Sequence, residues 1–333
     1  MDINATPLPA TTSRAEWLEQ RKQGIGSSDA STILGLNPYN SPYALWLEKT
    51  GQTPLDPTPD PIAAERMEWG NLMEPLILEQ TARRLGVTLT KPEVAYHHPE
   101  RPWQRANLDG FDAANYRVFE AKNTSLRNAD QWQDQIPDHA EVQATHAATV
   151  IGAKSFIVAG LIDGNTLKVY EFDVNPNVAE ILVEQETKFW HHVTTNTAPD
   201  IDGAAATTAA LTKELGRRKD YEEVPAEEAE KWLKAYWEAK NRAKEATQAE
   251  ATAKNHLARL MGDAAGIQTG DKVWATARRG VLKMKDLEAG HPELVEKYTV
   301  PTPKFDSKAF KEEHPDLYTK FQSVSVLPKP LSA

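Results

Sequence analysis

The chain is predicted to fold as an α/β core followed by a helical C-terminal region. Three observations carry this. Helix-like and strand-like segments alternate between residues 14 and 200. Asp163-Gly164-Asn165 separates two strand-like runs as a hairpin turn would. From Ala226 to Met261 the sequence is rich in Ala, Lys and Glu and holds neither Gly nor Pro, the composition of one long helix.

The first helix opens with Trp17, Leu18 and Arg21. Gly24-Ile25-Gly26-Ser27-Ser28-Asp29 then forms a turn into a short helix through Ile33 and Leu34. Ser41-Pro42 starts a third helix, ended by Gly51. Four prolines within residues 52–62 predict a loop. A long helix is expected from about Ala63 to Leu85, kinked or restarted at Pro75. Strands are expected at Val87–Tyr96, Arg101–Asp112 and Tyr116–Asn123, the last two joined through Ala113–Asn115. A helix from about Ala140 to Ile151, strands at Ser155–Ile162 and Thr166–Asp173, and a helix from Asn177 to about Thr194 complete the core. The expected domains are a core at 14–200, a linker at 201–225, and a long helix with a small accessory module at 226–333. In that helix Trp232, Tyr236, Ala239, Ala243, Ala246, Ala253, Leu257 and Leu260 keep near-heptad spacing. Further on, the runs at 291–298 and 314–321 are related, either as a short duplication or as two similar helix starts.

The 333 residues include no cysteine, which excludes disulfides, thiolate metal sites and cysteine nucleophiles, and fits a reducing cytoplasm. No apolar run is long enough for a membrane span, and Met1–Ala10 does not resemble a secretory signal. The net charge of −10 speaks against a general nucleic-acid coat but is compatible with an enzyme that grips DNA locally.

The chemistry concentrates in Asn107-Leu108-Asp109-Gly110 and Phe119-Glu120-Ala121-Lys122. Alternate residues of a strand share a face, so Glu120 and Lys122 point together, and pairing across the turn brings Asp109 towards Glu120. Two close carboxylates favour a divalent cation, and oxygen ligands suit Mg²⁺ or Mn²⁺. Lys122 beside such a cation could position or deprotonate a water and neutralise phosphate charge. Hydrolysis of a phosphodiester uses all three groups. An isolated Glu-x-Lys is usually only a surface alternation, so the remaining motifs matter. Glu74 sits on an apolar helix face among Trp69, Met73, Ile77 and Leu78, costly for an acid without a partner. Glu141-Val142-Gln143 opens the helix after the second of these strands. Arg21 and Ser28 flank the glycine turn, where a phosphate could bind; the plainer alternative is an N-cap serine and a surface arginine.

Together, Gly24–Asp29, Leu34–Tyr39, Ser41–Trp46, Trp69–Pro75, Asp109-Gly110, Glu120–Lys122 and Glu141–Gln143 resemble, in order, the motifs of the YqaJ-like phage recombinases of the lambda exonuclease family, within the PD-(D/E)XK nucleases. The resemblance spans about residues 14–200. It implies a mixed central sheet flanked by helices and a Mg²⁺-dependent exonuclease that degrades one strand of duplex DNA from its 5′ end. The 3′ overhang would pass to a single-strand annealing protein. It further implies a homotrimer and a phage or prophage origin in a bacterial cytoplasm. By position, Asp109, Glu120 and the Ala121 carbonyl would hold metal, and Lys122 would act on the attacking water. Glu74 would serve a second metal or orient that water. Arg21 and Ser28 would hold the 5′-phosphate, with Trp17 near the DNA end. Glu141 and Gln143 would border the site. The chain departs from the family pattern at Asn107-Leu108, where Ser or Thr and Pro are usual, and at Glu141, where Gln is usual. A structure-selective endonuclease of the same fold and a non-catalytic DNA-end-binding protein are the alternatives. The intact acidic set disfavours the second, and Arg21 with Ser28 disfavours the first.

Overall fold

The computed structural model describes residues 3–53, 61–213, 215, 221–278, 280–299, 305–322 and 328. The chain divides into two units, 1–213 and 214–333. Most of the proline-rich loop expected at 52–62 lies outside the described residues.

In the first unit, local chemistry starts and stops the helices. Helix α1 (Arg14–Lys22) begins where the Ser13 hydroxyl accepts the Glu16 N–H. Helix α2 (Ser27–Ile33) follows the glycine turn, and Asp29 Oδ2 accepts the Gly26 N–H at 3.0 Å. Ser41 caps α3 (Pro42–Lys49), with proline in the first turn. Of the kink or restart expected at Pro75, the restart does not occur: helix α4 (Pro61–Leu85) is continuous through it, and Gly86, with φ of 68°, ends it.

Four strands form the central mixed sheet, in the order β4 (Gly110–Asp112), β5 (Arg117–Thr124), β6 (Ser155–Ile162) and β7 (Thr166–Asp173). β4 and β5 pair antiparallel, β5 and β6 parallel, β6 and β7 antiparallel. The parallel step needs a crossover, supplied by a 3₁₀ turn at Leu126–Trp132 and helix α5 (Asp138–Ile151). Asp163 and Gly164, at φ 54° and 72°, take the left-handed conformation that a tight β6–β7 hairpin needs.

Period-two alternation divides the core. Phe119, Ile157 and Ala159 pack with Ile77 of α4 on one side of the sheet. Val118, Phe156 and Val158 pack on the other with Ala140, Ala144, Ala147 and Ala148 of α5. That alanine stripe lets α5 lie close to the sheet, which brings the start of α5 within side-chain reach of β5. Helix α6 (Pro176–Thr194) packs against α2, α3 and α5.

Three expectations are corrected. Val87–Tyr96 is not one strand: only a bridge from Thr90 to Phe111 and strand β2 (Tyr96–His97) form there. Arg101–Asp112 is likewise broken, into β3 (Arg105–Ala106) and β4. β3 joins β2 and β1 (Thr6–Pro7) in a separate small sheet, so the chain changes sheets at residues 107–109. The expected linker contains helix α7 (Ala205–Thr212), tied back where the Thr207 hydroxyl donates to Ser41 Oγ at 2.8 Å.

The second unit holds the 36-residue helix α8 (Ala226–Met261), on which no described residue is buried. A hairpin of β8 (Gly266–Thr269) and β9 (Lys272–Thr276) follows. Helices α9 (Met284–Gly290) and α10 (Pro292–Tyr298) meet at His291; α11 (Ser307–Glu313) and α12 (Pro315–Lys320) meet at His314. Each of the two related runs thus begins at a His-Pro step and forms the second helix of its pair.

Candidate active site

The break between β3 and β4 places Asp109 off the ladder, directly before Gly110, which pairs with Phe119. A side chain at 110 would meet Leu78 Cδ1 and Phe119 Cδ1 at 2.9 Å, so glycine is what lets the chain pass here. Two residues further along β5, the Ala121 N–H donates to Asp109 Oδ2 at 2.9 Å. Glu120, almost fully buried, and Lys122 share the α5 side of β5. Lys122 Nζ donates to Glu120 Oε1 and, at 2.6 Å, to Gln143 Oε1 of α5. Gln143 Nε2 donates in turn to Ser31 Oγ of α2 at 3.1 Å, and Ser31 Oγ donates to Ser28 O at 3.0 Å. A hydrogen-bonded chain thus runs from the acidic pair to the glycine-turn helix.

Burial, with Glu120 and then Glu74 as neighbouring negative charges, pushes the Asp109 carboxyl up to about 7, although Lys122 and the Ala121 N–H oppose this. For Lys122, burial pulls the pKa down, but Glu120, Asp109 and Glu74 outweigh it and hold the pKa above its ordinary value. Lys122 is therefore an ammonium at neutral pH. Two buried carboxylates balanced by a single cation leave room for more positive charge, and their hard oxygens fit Mg²⁺ or Mn²⁺. Among the described residues, no three His, Asp or Glu side chains gather as a ligand group. Glu74 instead pairs with Lys91.

A cavity of about 250 Å³ is lined by Asp109, Glu120 and Gln143 together with Trp17, Arg21, Ser28 and Arg105. A neighbouring cavity shares Trp17 and Asp109 and adds Glu74 and Lys91. Asp109, Glu120 and Gln143 thus share one space with Trp17, Arg21 and Ser28, while Ala121 and Lys122 line neither cavity and join it only through their bonds to Asp109, Glu120 and Gln143. Glu141 does not join them: it lines neither cavity. It stands two residues from Gln143, about 200° around the helix, so the turn that carries Gln143 to Lys122 carries Glu141 away.

Arg21 sits over the Trp17 ring at 5.6 Å and reaches Asp29 Oδ1 at 3.0 Å. Asp29 is itself buried against Lys49, whose ammonium donates to Asp29 Oδ2 (2.6 Å), Gly24 O (2.7 Å) and Arg21 O (2.8 Å). Ser27 Oγ, also in the cavity wall, is buried without a hydrogen-bond partner among the described residues. Sequence reasoning missed Lys49, Lys91 and Arg105. A lone Lys or Arg carries no local signal of burial or of a distant partner; only Asp29, within the glycine motif, was in view.

The family model for the YqaJ-like viral recombinase domain matches residues 16–154. The uncharacterized protein YqaJ of Bacillus subtilis (strain 168) is 29% identical over 314 residues, covering 92% of this chain and 90% of that protein. Among solved structures, an alkaline exonuclease from Laribacter hongkongensis (LHK-Exo) is 12% identical with a TM-score of 0.45, covering 55% of this chain and 94% of its own. A phage related exonuclease from Haemophilus somnus 129PT is 8% identical with a TM-score of 0.38, covering 57% and 92%. The ordered motifs, the family match and the relative aligned over most of its length agree: residues 16–154 of this chain are similar to the YqaJ-like viral recombinase domain.

Proposed function

We propose that this chain is a metal-dependent exonuclease that degrades one strand of linear duplex DNA from its 5′ end. The observation that carries the reading is the single cavity lined by an acidic pair, Asp109 and Glu120, and by a cationic, hydroxyl-bearing and aromatic group, Arg21, Ser28 and Trp17. Acids alone would suit any metal-dependent hydrolase; the second group suits an enzyme that starts at a phosphorylated end.

Asp109, Glu120 and the Ala121 carbonyl would hold Mg²⁺, or Mn²⁺ in its place, and Glu74 would lie at its edge. A cation held there would supply Lewis acidity towards a phosphoryl oxygen and towards a water. Lys122 spends two of its three N–H bonds on Glu120 and Gln143. The third can donate to the attacking water or to a phosphate oxygen. Lys122 is placed to orient the attacking water and to neutralise phosphate charge. Arg21 neutralises the terminal phosphate and Trp17 offers a face to the terminal base. In hydrolysis the water oxygen bonds to phosphorus, the P–O3′ bond breaks, and the departing 3′ oxygen takes a proton. The shortened strand keeps a 5′-phosphate, so each turnover regenerates the end that Arg21 recognises. Delivery of the 3′ overhang to a single-strand annealing protein and assembly as a homotrimer belong to the same reading. The second unit would be an accessory module that contacts protein or DNA.

Linear 5′-phosphorylated duplex and closed circular duplex, each incubated with Mg²⁺, test this. The linear form is expected to be digested and the circle to survive. Loss of the circle at a comparable rate would instead favour a structure-selective endonuclease. Lys122→Ala should slow cleavage by about 100-fold or more while DNA binding persists, as measured by anisotropy in the absence of metal.

A further inference from the structure

Behind the cavity wall lies a buried polar cluster that the reaction above does not use. Gln104, His146 of α5 and Glu186 of α6 are all fully buried. Glu186 Oε1 meets His146 Nδ1 at 2.6 Å, and Glu186 Oε2 accepts from Gln104 Nε2 at 2.5 Å. His146 Nε2 meets the Arg105 carbonyl at 2.8 Å. A carbonyl oxygen only accepts, so Nε2 carries a hydrogen. Every polar atom that the imidazole offers is thereby used.

The connections of this cluster reach both halves of the cavity. Arg105 N donates to Ile25 O at 2.8 Å, and Ile25 N donates to Trp103 O at 2.6 Å, which ties residues 103–105 to the glycine turn between Arg21 and Ser28. Four residues beyond Arg105 stands Asp109. Three residues before His146 stands Gln143, which holds Lys122. One imidazole therefore fixes α5, the approach to Asp109 and the glycine turn with respect to one another, while Glu186 anchors it to α6. A buried charged pair is a poor source of stability compared with apolar packing of the same volume. What it does supply is direction, because its bonds are satisfied at one geometry.

We infer that Glu186, His146 and Gln104 form a positioning device that sets the separation between the end-binding side chains, Arg21 and Ser28, and the hydrolytic ones, Asp109 and Lys122, and so sets the preference for a 5′-phosphorylated end. This rests on the exonuclease reading above.

The test uses the full chain and the ratio of kcat/KM for 5′-phosphate over 5′-hydroxyl duplex ends, which does not depend on how much of the protein is active. His146→Asn loses the bond to the Arg105 carbonyl and should lower the ratio about fivefold, the effect of one net hydrogen bond. His146→Gln keeps a donor within reach of that carbonyl and should restore most of it. Should His146→Asn not fold, the isosteric Glu186→Gln gives the same measurement. A wild-type preference retained in full by both His146→Asn and Glu186→Gln overturns the positioning role alone. A wild-type enzyme with no preference overturns the end-binding reading and this inference with it.

Discussion

Lys49 offers the sharpest test of how the glycine turn is held. Its side chain is fully buried, and its ammonium donates to two backbone carbonyls and to Asp29, itself 1% exposed. Burial works against the Asp29 charge, yet Lys49, Arg21 and the Gly26 N–H hold its carboxyl well below the usual carboxylate range. Lys49→Met keeps the volume of the stem and removes the charge. It leaves two carbonyls unpaired and Asp29 with only Arg21 and Gly26, both at 3.0 Å. Removing one partner of a buried pair costs about 3–5 kcal/mol. The surviving partners of Asp29 place this variant near the lower end, about 3 kcal/mol. Urea denaturation of wild type, Lys49→Met, Asp29→Asn and the double variant measures the loss and the coupling. The double variant should be clearly less destabilised than the sum of the singles. A loss below about 1 kcal/mol for Lys49→Met, the level of an ordinary surface pair, with additive singles, would refute the reasoning.

Three further outcomes are expected. Gly160→Ala should destabilise by about 1–3 kcal/mol in the same assay, because a Cβ there would fall within the van der Waals surface of the buried Trp132 ring. His146 should make stability depend on pH: burial pulls its pKa down, but Glu186 overrides this and raises it in the folded state. That contribution is complete below the ordinary imidazole pKa of about 6.5 and is lost as pH rises through the higher folded value; His146→Asn should abolish this part of the urea-midpoint profile. Arg21→Ala should reduce the kcat/KM ratio for 5′-phosphate over 5′-hydroxyl ends, and an unchanged ratio would remove Arg21 from the end-binding group.

Much of the first unit was legible in the sequence because its signals are local. Ser41-Pro42 as a helix start, Gly51 as a helix stop and Asp163-Gly164 as a hairpin each act within a few residues. The alternation of Glu120 and Lys122 on one face follows from strand geometry alone. The failures came where tertiary context decides. Residues 105–112 have the composition of one strand, yet pairing with different partners splits them between two sheets, and that break is what frees Asp109. Glu141 and Gln143 are equally plausible in a first turn, and only the placement of α5 against β5 selects Gln143. The partner of Glu74, Lys91, lies 17 residues away across an irregular segment with no periodic signal. The pairing of His146 with Glu186 spans 40 residues and two helices, so neither residue marked itself as part of a network.

Strand-specific labelling tests directional hydrolysis from a DNA end most directly. Linear duplex carrying one label at a 5′ end, or one at a 3′ end, is incubated with the protein and Mg²⁺, and products are resolved over time. The expected result is early release of the 5′ label as a mononucleotide, with the 3′ label retained on a steadily shortening strand, and neither product formed in EDTA. Early release of the 3′ label, internal fragments from both substrates, or cleavage that persists in EDTA would contradict the account.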